Sequence, residues 1–361
     1  MKRALLDWYR ANRRDLPWRK TRDPYAVWVS EIMLQQTRVD TVIPYYQRFL
    51  KAWPTVGALA AADPEAVRAQ WSGLGYYRRA ALMLKAAQQI STDLDGRFPG
   101  ELEGLRALPG FGAYTAGAVA SIAFDRAVPA IDGNVIRVIA RLQGIQGDPS
   151  APENAARIRA HATRLAEEAP ADPKQHDPGD FTQALMELGA LICSPKSPRC
   201  EDCPVRRGCR AHAEGKVHLI PPPRVRPEKK RVILSGLIVR RQDQVLLEQR
   251  PPGGLFAELW VVPLWEGKLS QPELRAAAEA RFAGSFSLEG WEELEPQRHV
   301  LTHREIEVTR FLAQAEGKKT PKGMRFLDPE ALAQLGIPAF TAKMIRPPTA
   351  SSAPRRRRAR P

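Results

Sequence analysis

Apolar residues recur at spacings of three and four along 27–50, 64–71, 78–90, 115–124 and 133–142. That is the period of a helix with one buried face. The stretches are interrupted at Pro54, Pro64, Gly73–Gly75, Pro99–Gly100 and Pro109–Gly112, where glycine freedom and the proline ring end helices. The pattern predicts a helical domain over 1–213. Pro221-Pro222-Pro223 and a basic run from Arg224 to Arg231 follow, so 214–231 reads as an extended linker. Beyond it the period shortens. Val232–Arg240, Gln244–Gln249, Trp260–Leu264 and Glu305–Leu312 are apolar or β-branched stretches with strand character, and Pro272–Phe282 reads as helix. A smaller α+β domain is expected over 232–345, then a disordered basic tail over 346–361.

Charge narrows the partners. Lys and Arg number 55 against 40 Asp and Glu, a net +15. Removing Arg355, Arg356, Arg357, Arg358 and Arg360 still leaves about +10. A cation excess spread through a folded body points to a polyanion, either nucleic acid or an anionic membrane. The tail arginines would add non-specific DNA affinity or stay solvated. No apolar run approaches the roughly 20 residues of a membrane span. The start, with Lys2, Arg3, Asp7 and Arg10, lacks a signal-peptide core. A soluble, cytoplasmic protein is expected.

The chain has four cysteines, Cys193, Cys200, Cys203 and Cys209, spaced C-x6-C-x2-C-x5-C. Thiols at this density usually hold one metal centre. A disulfide pair is the blander reading, and an intracellular chain disfavours it. Zinc and a [4Fe–4S] cluster both accept four cysteinates, but only Cys200 and Cys203 form a short knuckle, which favours the cluster. Lys196, Arg199, Arg206, Arg207 and Arg210 border the loop. They suit a phosphate-bearing target or a merely solvated surface.

Three further features carry chemistry. In Leu108-Pro109-Gly110-Phe111-Gly112-Ala113-Tyr114, two glycines permit a tight hairpin whose amides open onto the next helix, a phosphate-binding arrangement. Asp132, between apolar Ala127–Ile131 and the periodic stretch from Val135, reads as a helix N-cap. A carboxylate held there stays ionised and could stabilise an oxocarbenium-like sugar. Glu31 shares a helical face with Val27, Trp28 and Leu34, where desolvation would favour the neutral acid. Two carboxyls pushed apart in this way suit one acid and one anionic stabiliser.

Taken in order, Glu31 in VSEIMLQQT, the hairpin LPGFGAYTAGAV, Asp132 in AIDGNVIRV and the four cysteines resemble the endonuclease III-like DNA glycosylases, and within them the MutY-type adenine branch. The resemblance runs from about Leu16 through Cys209 and again across the second domain. It implies a mostly α helix-hairpin-helix glycosylase domain with a [4Fe–4S] cluster loop at 193–209, followed by an α+β Nudix-like domain. The implied substrate is double-stranded DNA with adenine opposite 8-oxoguanine or guanine, and the protein would act as a monomer. Glu31 would protonate adenine N7, Asp132 would stabilise the sugar cation, and Asn134 would hold Asp132 and water. Lyase members carry a Lys where this chain has Tyr114, which would instead support Asp132 in a monofunctional enzyme.

The same resemblance implies that Gln36, Leu74 and Tyr76 press on the duplex, with Thr37 near the opposite base. Arg14, Trp18 and Gln183 would line the base pocket. Gly110 and Gly112 would offer amides to a phosphate. In the second domain, Arg250–Pro263 fits the opening of the Nudix-like module, and alanines in Arg275–Ala280 replace the carboxylates of an active hydrolase. The family reads the lesion with a Phe-Ser-His turn. This chain has Leu301-Thr302-His303, which keeps the hydroxyl and loses the ring.

Overall fold

The computed structural model describes residues 1–168, 178–223 and 228–346. The basic tail beyond Arg346 and the middle of the linker, 224–227, lie outside them. Two compact units emerge, Met1–Ala62 with Arg78–Val225, and Asp63–Tyr77 with Arg226–Pro361. The sequence reading left 63–77 with the helical domain; its contacts join it to the second unit.

The helices in chain order are α1 (Lys2–Asn12), α2 (Pro24–Leu34), α3 (Val39–Ala52), α4 (Val56–Ala60), α5 (Pro64–Gln70), α6 (Arg78–Asp93), α7 (Leu102–Arg106), α8 (Ala113–Phe124), α9 (Gly133–Gln143), α10 (Pro152–Glu167), α11 (Pro178–Leu191) and α12 (Arg210–Ala213). All but α5 belong to the first unit. The periodic stretch 27–50 is two helices, because Gln36 takes a left-handed φ of 59° between them. Asp23 caps α2, accepting from the Tyr25 and Ala26 amides at 3.3 and 3.1 Å, with Pro24 at the first helical position. From Tyr25 to Met33 every residue of α2 is buried, and α8 is buried from Thr115 to Ile122. These two form the centre of the unit. A second cluster joins α1, α9, α10 and α11 through Leu5, Tyr9, Val138, Ile139, Ile158, Leu165, Phe181 and Leu185, and the four cysteines pack against it. At Gly189 of α11, an added Cβ would lie 2.6 Å from the Asn134 Cβ, so only glycine lets α9 approach this closely.

The second unit is a mixed sheet: β1 (Lys230–Arg241), β2 (Gln244–Gln249), β3 (Trp260–Val261), β4 (Leu264–Glu266), β5 (Ser287–Val300), β6 (Arg304–Glu316) and β7 (Met324–Leu327). The order β3-β2-β1-β6-β5 has β4 beside β1 and β7 beside β2. Only β1 and β6 run parallel among these pairs. Strand alternation divides the core. Leu234, Ile238, Ile306 and Val308 face α15 (Ala339–Met344) through Phe340 and Met344. Leu237, Val239, Phe311 and Ala313 pack with α13 (Gln271–Phe282) through Leu274, Ala278 and Phe282. The short α14 (Pro329–Ala333) lies between β7 and α15 in the chain. Sequence reading missed β5, which is largely exposed and lacks clear alternation.

Candidate active site

Glu31 sits on α2, 5% exposed. Tyr114, on the first turn of α8, donates its hydroxyl to Glu31 Oε2 at 2.5 Å. Burial drives the Glu31 carboxyl upward; the Tyr114 hydrogen bond and Arg19 pull it down, and Asp132 pushes it up again. The result is about 7 against an ordinary 4.5, so near neutral pH Glu31 can hold a proton and give it away. Burial and the Glu31 charge also raise the Tyr114 hydroxyl well above its usual range, so Tyr114 stays a neutral donor. The sequence reading gave Tyr114 to Asp132; its hydroxyl goes to Glu31, because α2 and α8 pack side by side.

Asp132 caps α9. Its Oδ1 accepts from the Val135 amide and its Oδ2 from Asn134 Nδ2, both at 2.7 Å. Asn134 Oδ1 in turn accepts from Arg137 Nη2 at 2.9 Å, and Arg137 Nε donates to the Cys193 carbonyl at 2.7 Å. A continuous polar line therefore runs from Asp132 to the first cysteine of the loop. Arg137 carried no signal in the sequence beyond its helical position.

The remaining expected residues divide. Arg14 makes a forked contact to Glu187 on α11, Nε to Oε1 at 2.9 Å and Nη2 to Oε2 at 2.6 Å. Arg19 donates to the same carboxylate at 3.0 and 2.8 Å. Burial would raise Glu187, 1% exposed, but these guanidiniums more than reverse that and hold it at about 2. Trp18 is buried, edge-on to Tyr46 at 5.5 Å, and Gln183 is half-buried on α11. Gln36 is exposed and Thr37 half-buried. Their turn is fastened by Arg79, whose Nη1 donates to the carbonyls of Ile32, Met33 and Gln35 at 2.7, 3.0 and 2.6 Å. A guanidinium thus satisfies the open carbonyl end of α2. Neither Arg79 nor Glu187 was found from sequence; each acts on partners far away in the chain.

In the hairpin, Gly110 has φ 78°, and a Cβ there would meet Leu82 at 3.0 Å. Gly112 is exposed and precedes α8, but its amide donates to the Gly110 carbonyl at 3.2 Å. Gly112 therefore spends its N–H within the turn, which leaves the first-turn amides of α8, the ones a helix does not bond internally, as the donors a phosphate would use. In the second unit Leu74 is buried while Tyr76 is 41% exposed, so of that pair Tyr76 is the one presented. Thr302 and His303 are exposed at the tip of the β5–β6 hairpin, Leu301 is half-buried against the core, and the Tyr76 and Thr302 hydroxyls are hydrogen-bonded. The carboxylates of α13 are engaged locally, Glu273 in a capping box with Ser270 and Glu279 with Arg275.

The four cysteines line one pocket of about 30 Å³ with Arg141, Arg199, Arg206 and His212. Among the described residues, no group of three His, Cys, Asp or Glu forms a ready single-ion site. Burial raises the Cys200 and Cys209 thiols and pushes Cys203 up to about 11. Such thiols become thiolates only with a cation to compensate them. Arg141, 2% exposed, donates to Cys193 Sγ at 3.2 Å and to the Ser194 carbonyl at 2.8 Å. Clustered soft donors with N–H groups aimed at sulfur fit a thiolate-held cluster. Part of the basic rim is paired, Arg199 with Asp202 and Arg206 with Glu201.

Residues 29–164 match the HhH-GPD superfamily base excision DNA repair protein family, and residues 235–346 match the NUDIX domain family. The fold and site thus define a helix-hairpin-helix base-excision repair protein with a Nudix-like module. The adenine DNA glycosylase of Homo sapiens is 35% identical over 405 residues, covering 95% of this chain and 73% of that protein. That of Rattus norvegicus is 47% identical over 232 residues, covering 61% of this chain but only 44% of its own length. That of Mycolicibacterium smegmatis is 41% identical over 212 residues, covering 58% of this chain and 69% of its own. The chain belongs to the adenine DNA glycosylase family. A solved thermostable thymine-DNA glycosylase is similar in fold, with TM-score 0.52 and 28% identity over 59% of this chain and 95% of that one.

Proposed function

We propose that this protein hydrolyses the N-glycosidic bond of adenine mispaired with 8-oxoguanine or guanine in duplex DNA, without lyase activity. The observation that carries the reading is the buried Tyr114–Glu31 contact at 2.5 Å, with Glu31 raised to about 7 and Asp132 adding to the rise. An acid so placed can protonate a flipped purine. Asp132, oriented by Val135 and Asn134, then stabilises the sugar cation while water completes hydrolysis. A phenol at position 114 cannot form the Schiff base of a lyase. The exposed hydroxyl of Thr302 supplies a hydrogen-bonding group for the lesion's edge, and the basic surface holds the backbone.

Cys193, Cys200, Cys203 and Cys209 would hold a [4Fe–4S] cluster, which when bound supplies a structural cross-link to the loop rather than a step of the reaction. Iron and acid-labile sulfide with broad visible absorption support this assignment; a colourless zinc protein overturns it. A cytoplasmic monomer, nucleoid-associated if the source is bacterial, completes the proposal. The test is single-turnover adenine release from an 8-oxoguanine:A duplex followed by alkali, with a thymine-glycol duplex alongside. Alkali-dependent cleavage of the adenine strand alone is expected. Asp132→Asn should lower release by about 10²-fold or more, the scale of a removed transition-state stabiliser, and still bind the duplex. Cleavage of the thymine-glycol strand without alkali would overturn the monofunctional reading.

A further inference from the structure

By sequence, Asp63–Tyr77 falls among the helices, between α4 and α6, yet it is part of the second unit. The contacts responsible are specific. Glu65 Oε1 accepts from Trp260 Nε1 at 2.6 Å, and Arg325 Nη1 lies 3.3 Å from its other oxygen. At Gly336 an added Cβ would lie 2.7 Å from the Arg68 Cβ, so α5 and the 336 turn meet backbone to side chain. Further along, Ser72 Oγ donates to the Ile337 carbonyl at 2.8 Å and Tyr77 Oη donates to the same carbonyl at 2.9 Å. One carbonyl oxygen has two lone pairs, and both go to hydroxyls that bracket Gly73-Leu74-Gly75-Tyr76. Tyr77 Oη also accepts from the Gly73 amide at 3.4 Å, and Trp71 Nε1 donates to the Gly75 carbonyl at 3.1 Å. Ile337 is itself fixed by its amide on the Leu335 carbonyl at 2.9 Å and by Pro338 behind it. The loop so bracketed carries Tyr76, at a left-handed φ of 50°, whose hydroxyl bonds Thr302.

We propose that Ser72 and Tyr77 are positioning residues. Through the Ile337 carbonyl they let the Nudix-like body set the Gly73–Tyr76 loop, and with it the discrimination between 8-oxoguanine:A and G:A pairs. This rests on the functional reading above. Their hydroxyls are spent on the Ile337 carbonyl, so each acts through the loop. The loop and the Thr302 turn belong to the same unit and meet at the Tyr76–Thr302 hydroxyl contact, so on that functional reading Tyr76 and Thr302 would face the mispair at a set spacing. A duplex that fits that spacing gains both contacts, and one that does not loses both.

The test uses the full chain, Ser72→Ala, Ser72→Thr and Tyr77→Phe. Readouts are single-turnover rates at saturating enzyme on 8-oxoguanine:A and G:A duplexes, and dissociation constants for the same duplexes bearing a non-cleavable adenosine analogue. Ser72→Ala and Tyr77→Phe should each weaken 8-oxoguanine:A binding roughly fivefold, the scale of one neutral hydrogen bond, with G:A binding and saturating rates little changed. Ser72→Thr, which keeps the hydroxyl, should behave as wild type. Should Tyr77→Phe fold poorly, the Ser72 pair alone decides. Equal losses on both duplexes, or Ser72→Thr matching Ser72→Ala, would show plain structural support and overturn the positioning role. Unchanged discrimination in variants of an active wild type also overturns it. A wild type that releases adenine from neither duplex overturns the functional reading, and this proposal with it.

Discussion

Glu31 and Glu187 are the same side chain at nearly the same depth, 5% and 1% exposed, yet they titrate at opposite ends. Glu31 rises to about 7 and Glu187 falls to about 2, each from 4.5. Burial pushes both upward. The difference lies in what meets the oxygens: a neutral hydroxyl from Tyr114 at Glu31, and two guanidiniums from Arg14 and Arg19 at Glu187. Depth alone therefore does not make a carboxyl an acid; depth with only a neutral donor does. Arg19 ties the two together, since it binds Glu187 and also lowers Glu31.

Removing the proton carrier should give the largest effect. Glu31→Gln keeps the shape and should lower adenine release by about 10²–10⁴-fold, the usual worth of a positioned acid, with duplex affinity retained. Near-normal rates would mean that another group supplies the proton. Stability should move the other way with pH. The folded pKa of Glu31 lies above its ordinary value, so its stabilising contribution is complete below about 4.5 and is lost as pH rises through about 7. Wild type should then lose about 3 kcal/mol relative to Glu31→Gln between acid and mildly alkaline pH. Parallel denaturation curves for the two proteins at pH 5 and pH 8 would contradict the raised value.

Glu187 offers the mirror experiment. Its folded pKa is depressed, so its contribution is present above about 4.5 and is lost only as pH falls through about 2. Glu187→Gln should remove it at every working pH. Two guanidiniums would be left facing each other, Arg19 only 10% exposed and Arg14 36%, for a loss of about 3 kcal/mol. Urea midpoints measure it, and a change under about 0.5 kcal/mol, the range of ordinary surface substitutions, would show the triad to be incidental. Relieved of its partner, Arg19 would also act more strongly on Glu31, so the alkaline limb of adenine release should move to lower pH.

How much of this was legible beforehand follows the distance over which each feature is encoded. Glu31 and Asp132 were readable because a helical stripe and an N-cap are local patterns. The helical and α+β division was likewise readable from the change of period. Glu187 was not, because Arg14 and Arg19 lie 173 and 168 residues from it and nothing in LMEL marks a buried ion pair. Arg79 was missed for the same reason, since the carbonyls it caps belong to another helix. The edge strand β5 was hidden by Glu289, Glu292, Glu293 and Glu295 on a mostly exposed strand, where solvent tolerates what a buried strand would not. Segment 63–77 reads with the helices by chain neighbourhood, while its partners Trp260, Arg325 and Ile337 come 195, 260 and 265 residues after the residues they bond.

Tyr114 gives the finest adjustment of the comparison. Its hydroxyl favours the charged form of Glu31 and so lowers that pKa, opposing the larger effect of burial. Tyr114→Phe deletes only this oxygen and leaves the ring between α2 and α8. Glu31 should then rise further, making the proton available at higher pH and moving the alkaline limb of single-turnover adenine release upward, opposite to Glu187→Gln. Had Tyr114 served Asp132, as the family resemblance implied, its loss would lower the plateau rate at every pH and leave the limb where it was. A pH profile of the one variant therefore separates the two partners. A shifted limb identifies the phenol as the tuner of the acid, and an unshifted limb with a lower plateau returns it to the sugar side of the site.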